Sequence, residues 1–307
     1  MKVVLFCGGL GTRLRDHSDT VPKPLANVGS RPIIWHLMRW YAHYGHNEFI
    51  LCLGYRGDLI REYFLHYNEA MSNDFTLSEG GRRIQLHGSD IDDWRITFAD
   101  TGLNTNVGQR LVRARRYLEG DEMFLANYTD GLSDVPLDLQ IDDFQKRRNA
   151  LASLVSVRST QTFHTVRTGS DGVVTQIAPI RDGALINGGF FAFRSGIFDY
   201  IEHGSDDLVE HLFPRLISAR RLATFPWTGF WQCMDTLKDK MSFDMLEASG
   251  DCPWKVWRKP DGAEPAESEL ARAARALPKS RWTGGDDSDV TEAGFGAAAT
   301  LSLSRAG

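Results

Sequence analysis

The 307-residue chain has no two cysteines close enough in sequence to suggest a covalent staple or a zinc knuckle. Its four, Cys7, Cys52, Cys233 and Cys252, are widely spaced and form no CxxC pair, a pattern that suggests reduced thiols and argues against a disulfide framework or a zinc site. It also lacks any apolar run of membrane-spanning length, and the N-terminal run Val3 to Cys7 is too short for a secretory core. A cytoplasmic location is therefore the default expectation, with no membrane partner. A large excess of either charge is lacking too. The formal net charge is −5, so bulk attraction to nucleic acid is not expected, and any anionic ligand must be held locally.

What is present is, over the full chain, the composition of a soluble globular enzyme, 42% hydrophobic and 24% charged, with a change of character after Pro260. Beyond that residue Ala, Gly, Ser, Asp and Glu dominate, and a mostly disordered tail is expected over 259–307. The stretch from Lys2 to Pro24, KVVLFCGGLGTRLRDHSDTVPKP, organises the rest. A short β-branched run ends at Gly8 and Gly9, and Gly11, Thr12 and Arg13 follow. This pattern predicts a buried strand feeding a loop whose backbone N–H groups cradle an anion, with Arg13 and Lys23 adding full positive charge. A polyphosphate is the natural guest. The dinucleotide fingerprint fails because Leu14 stands where a glycine is needed, and the phosphate-loop spacing from Gly8 fails at Arg13 and Leu14.

Along the chain, Ser30-Arg31-Pro32 reads as a helix cap before a helix over 31–44, followed by a strand over 48–53 and a helix over 57–67. Such a βαβα opening predicts an α/β protein with a parallel, doubly wound sheet. Residues 75–89 read as a small excursion of short strands around Gly80-Gly81. Strands over 95–100 and 122–127 come next, the second ending at the polar corner Tyr128-Thr129-Asp130-Gly131, where open α/β sheets place ligands. Helical spacing follows over 141–148 and 206–219. The turn Asn187-Gly188-Gly189 interrupts a strand and implies a bulge. Asp130 and Asp235 face the expected cationic loop, which suits a divalent cation between carboxylates and phosphates. Each aspartate alone reads better as a turn former or, for Asp235, a helix N-cap, and only their combination with the loop favours the metal.

The signature GGLGTRL with PKPL, together with GSRPIIWHLM, DTG, TDG, INGGFF, GFWQCMDTLKDK and CPWKVW, resembles the sugar-1-phosphate nucleotidylyltransferases over 1–257. WQCMDT and PWKVW resemble their cytidylyltransferase branch. The resemblance implies a Rossmann-like mixed, mainly parallel sheet flanked by helices. It also implies a nucleotidyltransferase domain over 1–258, with a nucleotide half at about 1–150 and an acceptor half at about 151–258. The implied substrates are CTP and a sugar 1-phosphate, glucose 1-phosphate or a relative, with Mg2+ as cofactor and a homo-oligomer as the assembly. The amides of Gly8, Gly9, Leu10, Gly11 and Thr12 would embrace the nucleotide, with Arg13 on the departing pyrophosphate and Lys23 on the α-phosphate. Thr105, Arg110 and Thr129 fall at nucleotide contacts, Asn187 and Gly188 on the sugar side, and Asp130 and Asp235 at the metal. Trp35, His36 and Trp40 carry no implied role and are expected to be core.

Two departures stand out. Thr129 replaces the first glycine of the family's GDG, and Ile177-Ala178-Pro179 replaces EKP, whose lysine binds the acceptor phosphate. Arg181 is the expected substitute cation, and an acceptor other than ordinary glucose 1-phosphate is implied. Thymidylyl or uridylyl transfer, or a degenerate regulatory homologue that only binds nucleotide, remain alternatives.

Overall fold

The computed structural model describes residues 1–9, 21–159, 164–179 and 185–258. Leu10, Gly11, Thr12, Arg13, Arg181 and the tail from Lys259 onward lie outside the described residues. Residues Met1–Arg258 form one compact unit.

Eight strands make the main sheet, numbered in chain order: β1 Val3–Phe6, β2 Glu48–Leu53, β3 Arg95–Asp100, β4 Met123–Tyr128, β5 Ala152–Arg158, β6 Leu185–Asn187, β7 Phe191–Arg194 and β8 Leu222–Trp227. In space β3, β2, β1 and β4 lie side by side and parallel. Antiparallel β7 then joins β4 to β5, and β8 runs parallel to β5. The helices are α1 Ile33–His43, α2 Gly57–Leu65, α3 Val107–Ala114, α4 Leu137–Lys146, α5 Phe213–Ser218 and α6 Leu237–Ser249. This is the α/β, mixed and mainly parallel sheet that the resemblance implies; the opening βαβα pattern predicts the parallel part, and the antiparallel β6 and β7 depart from it. No described helix is long and apolar enough to cross a membrane.

Period-two alternation sorts the strand residues into two apolar layers. Val3, Leu5, Phe49, Leu51, Leu53 and Leu125 pack on one face with α1, α4 and α6, where Trp40, Tyr41, Phe144, Phe243 and Trp254 are fully buried. Val4, Phe6, Ile50, Cys52, Phe124 and Phe191 face the other layer, with Leu111 and Ala114 of α3 and Phe213 and Leu216 of α5. Trp35, His36 and Trp40 are buried on α1, as core residues should be.

The turn at Asn187-Gly188-Gly189 is the expected bulge. Strands β6 and β7 both pair with β5, but Ser156 faces Asn187 while Ser153 faces Ala192, a slip of two residues. In the gap the Gly188 N–H donates to Val155 O, and the Val155 N–H donates to Gly189 O. The kink needs positive φ at Gly189 (78°) and also at Phe190 (49°), where a bulky residue tolerates it poorly. Phe190 is held there by its N–H donating to Asn127 Oδ1 at 2.9 Å and by its ring set edge-on against Trp40.

Local readings needed correction at helix ends. Ser30 does not cap α1; Arg31–Pro32 instead pairs with Asn27–Val28 as a tight hairpin through Gly29, and the helix starts at Ile33. The guanidinium of Arg31, bonded to Asn68 O and Ser72 Oγ, holds that residue in the hairpin. The helix expected over 206–219 divides into a π-helical turn, Leu208–Leu212, and then α5, which opens at Phe213-Pro214. Pro214 has no N–H to continue the preceding ladder. The helix expected over 141–148 begins four residues earlier, just after Pro136. The expected excursion is a separate hairpin, Phe75–Ser78 with Arg83–Leu86, exposed throughout.

Candidate active site

Parallel pairing of β1 with β4 puts Phe6 beside Tyr128, so the glycine turn and the Thr129-Asp130 corner leave the sheet together. Thr129 secures them: its buried hydroxyl donates to Phe6 O at 3.0 Å. The residue in the glycine's place therefore bonds to backbone at this corner. Just beyond, Gly131–Ser133 forms a three-residue antiparallel ladder with Trp231–Cys233, and the Met234 N–H donates to Asp130 O at 2.7 Å. That ladder delivers Asp235 to Asp130.

Asp235 is not the helix cap. Thr236 caps α6, exchanging bonds with Asp239 in a capping box, and Asp235 stands one residue outside it. Its carboxylate meets Lys23 instead. Lys23 Nζ lies 2.7 Å from Asp130 Oδ2 and 2.6 Å from Asp235 Oδ1. Lys23 sits in a short 3-10 turn, Lys23–Leu25, fixed by the Leu25 N–H donating to Pro22 O. Burial opposes its charge, but the two carboxylates outweigh that, Asp130 foremost, and its pKa is raised above the ordinary lysine value. Lys23, Asp130 and Asp235, far apart in sequence, are thus brought to one point.

Lys23 and Asp130 border a cleft of about 600 Å³ lined also by Gly8, Gly9, Leu103, Thr105, Asn106, Arg110, Tyr128 and Thr129. Arg110 forms its rear wall. The guanidinium is buried and donates to Gly8 O at 2.9 Å, Leu53 O at 3.1 Å, Gly102 O at 3.1 Å and Thr101 Oγ1 at 2.8 Å. Burial lowers its pKa below the ordinary arginine value, and the four oxygens supply what water would. Gly8 has no room for a side chain, since a Cβ there would overlap this guanidinium. Thr105 Oγ1 donates to Thr101 O and Gly102 O, bracing the same loop.

Asn187 and Gly188 stand beside the cleft rather than among its lining residues. The side chain of Asn187 bonds to the hydroxyl of Tyr128, whose pKa burial pushes up to about 12. Trp231 Nε1 donates to Gly188 O at 2.8 Å. Sequence reasoning gave neither Tyr128 nor Trp231 a role, though both flank the aspartates in the motifs it used. Ala178 lies on a two-stranded hairpin, opposite Thr165 and off the main sheet.

Two hard carboxylate oxygens converging on one cationic point suit a hard divalent ion completed by phosphate and water. Among the described residues no group of three or more His, Cys, Asp and Glu is placed to hold a metal, so substrate oxygens would have to finish the coordination.

The family model described as nucleotidyl transferase matches residues 2–239. The chain belongs to that family. It is 38% identical over 263 residues to a glucose-1-phosphate cytidylyltransferase of Salmonella typhi, and 37% identical over 259 residues to a probable glucose-1-phosphate cytidylyltransferase of Bacillus subtilis. Each alignment covers 84% of this chain and all of the relative. Among solved structures, HddC from Yersinia pseudotuberculosis complexed with GMP-PN matches at TM-score 0.58 and 18% identity, covering 80% of this chain and 99% of that one. A UDP-glucose pyrophosphorylase complexed with UDP-glucose matches at TM-score 0.57 and 14% identity, covering 81% and 98%. These two likenesses establish the nucleotidyltransferase fold.

Proposed function

We propose that the chain transfers the cytidylyl group of CTP to a sugar 1-phosphate, glucose 1-phosphate or a relative, releasing pyrophosphate. The observation that carries this reading is the meeting of Lys23, Asp130 and Asp235 at the mouth of a cleft behind the glycine turn. The relatives, cytidylyltransferases by name, supply the base. A phosphate oxygen of the sugar attacks the α-phosphorus in line, and the bond to pyrophosphate breaks with its electron pair on the leaving group. No covalent enzyme intermediate is needed, so catalysis rests on alignment and charge neutralisation.

In this reading the residues divide at about 150, with nucleotide binding in 1–150 and acceptor binding in 151–258. The amides of Gly8 and Gly9, continued by Leu10, Gly11 and Thr12, hold the triphosphate, and Arg13 faces the leaving pyrophosphate. Lys23 pairs with the α-phosphate. Thr105, Arg110 and Thr129 shape the nucleotide side, and Asn187, Gly188 and Arg181 the sugar side. Asp130 and Asp235 would hold Mg2+, whose charge would offset that of the phosphates. The protein is read as a cytoplasmic homo-oligomer.

Ala178 in the place of the acceptor lysine favours a second reading, a homologue that binds nucleotide without turnover. Four nucleoside triphosphates assayed against a panel of sugar 1-phosphates for pyrophosphate release decide between them. Release with CTP above the others is expected. Release with another triphosphate alone reassigns the base, and none with any pair leaves the binding role.

A further inference from the structure

Resting on the nucleotidyl-transfer reading, we propose that Lys23 is a placeholder cation. In the free enzyme its ammonium fills the position a divalent ion takes, and the ion enters with the triphosphate that receives the displaced ammonium.

One nitrogen lies within hydrogen-bond distance of an oxygen from each proposed metal ligand, 2.7 Å from Asp130 Oδ2 and 2.6 Å from Asp235 Oδ1. A magnesium ion binds carboxylate oxygen at about 2.0–2.1 Å. It cannot lie between these two oxygens while the ammonium remains there, since two like charges would then touch. The side chain of Lys23 is 14% exposed, against 31% and 33% for the aspartates, so water reaches it less than it reaches them. Lys23 also lines the cleft with Gly8, Gly9 and Thr105, and that cleft is the space open to a displaced ammonium. No backbone movement is required, because the Lys23–Leu25 turn is anchored by Leu25 N–H to Pro22 O and Ala26 N–H to Lys23 O, leaving the four-carbon stem to rotate.

The two ways of loading differ in what becomes of that ammonium. A bare divalent ion gains both carboxylates but strands a partly buried ammonium without its partners. A metal–triphosphate complex brings the anion that takes the ammonium over. Metal and nucleotide should then bind with positive coupling, and by linkage each raises the affinity of the other equally. The lysine thus serves twice, first as counter-ion to the empty carboxylates and then as ligand to the α-phosphate.

The test is Mn2+ binding to the full chain, followed by loss of the free-ion electron paramagnetic resonance signal, with no sugar phosphate and no turnover. Lys23→Gln and Lys23→Met, each verified as folded by circular dichroism, are expected to bind Mn2+ alone at least tenfold more tightly than the wild type. Lys23→Arg, which keeps a cation, should stay near wild type, and Asp130→Asn added to Lys23→Gln should remove the gain. Neutral Lys23 variants that bind Mn2+ alone no more tightly than wild type overturn the proposal. Because this readout needs neither CTP nor product, it stands apart from failure of the functional reading, which shows as absent pyrophosphate release.

Discussion

A Cβ added to Gly8 would lie 2.0 Å from Nη1 of Arg110, well inside contact distance. The glycine turn and the buried arginine are therefore one unit, in which the missing side chain of the first makes room for the guanidinium of the second. Gly8→Ala must push that guanidinium off some of its carbonyl partners, at a cost of about 2–4 kcal/mol for bonds to a charged group. In a double-mutant cycle read by urea denaturation, Gly8→Ala adds less than about 0.5 kcal/mol once Arg110→Ala is present. Additive losses would show that the two residues act separately.

Thr129→Gly removes the hydroxyl bonded to Phe6 O and adds backbone freedom, for a combined loss of about 1–2 kcal/mol. Because that hydroxyl faces backbone, the preferred triphosphate stays the same. A melt in urea and the four-triphosphate assay check the two halves of this statement.

Asp130→Asn and Asp235→Asn separate function from stability. Both carboxylates are about a third exposed, at 31% and 33%, so each ion pair with Lys23 adds at most about 1 kcal/mol to folding. Turnover should nevertheless fall by roughly a hundredfold or more, the scale of losing one preorganised charge partner at a reacting phosphate. Thermal melts beside initial rates measure this, and a variant that keeps its rate removes that aspartate from the chemistry.

His36 sets an acid limit. Burial between α1 and Trp254 lowers its pKa from 6.5 to about 4, and Trp254 Nε1 donates to Nδ1, which assigns the proton to Nε2, bonded to Val28 O at 2.8 Å. The folded state resists protonation while the unfolded chain accepts it, so stability falls as pH drops from about 6.5 towards 4 and levels off below. The linkage amounts to roughly 3 kcal/mol across that window. Urea midpoints from pH 4 to 8 should show the slope, and His36→Gln should reduce it, leaving the part that comes from His46, whose pKa burial and the N-terminal ammonium likewise lower to about 4.

The parallel opening of the sheet was legible in the sequence because Val3–Phe6 and Glu48–Leu53 are unbroken apolar strands, each followed by a helix with a clear apolar face. Lys23, Asp130 and Asp235 were legible as candidates only in combination with the glycine loop and through the motifs PKPL, TDG and WQCMDT, since each aspartate alone has an ordinary structural use as a cap or turn former. Their meeting was not, since it depends on the ladder between Gly131–Ser133 and Trp231–Cys233, too short to leave a periodic signal. The hairpin at Asn27–Val28 and Arg31–Pro32 was hidden for a related reason. Ser-Arg-Pro fits a helix start locally, and only the bonds of Arg31 to distant Asn68 and Ser72 select the strand. Arg110 was placed at a nucleotide contact by the family resemblance, and it does line the cleft; its bonds to backbone and hydroxyl oxygens are an addition that no local pattern reveals.

The three-residue ladder also joins distant parts of the chain late in its synthesis. Lys23 and Asp235 are 212 residues apart, so an emerging chain can lay down β1 to β4 long before its second carboxylate has left the ribosome. Until then the corner holds one aspartate and one lysine, a neutral pair. On the proposed reading of the site, a truncated product that ends before Asp235 lacks half of its carboxylate pair, whatever sheet it has managed to build.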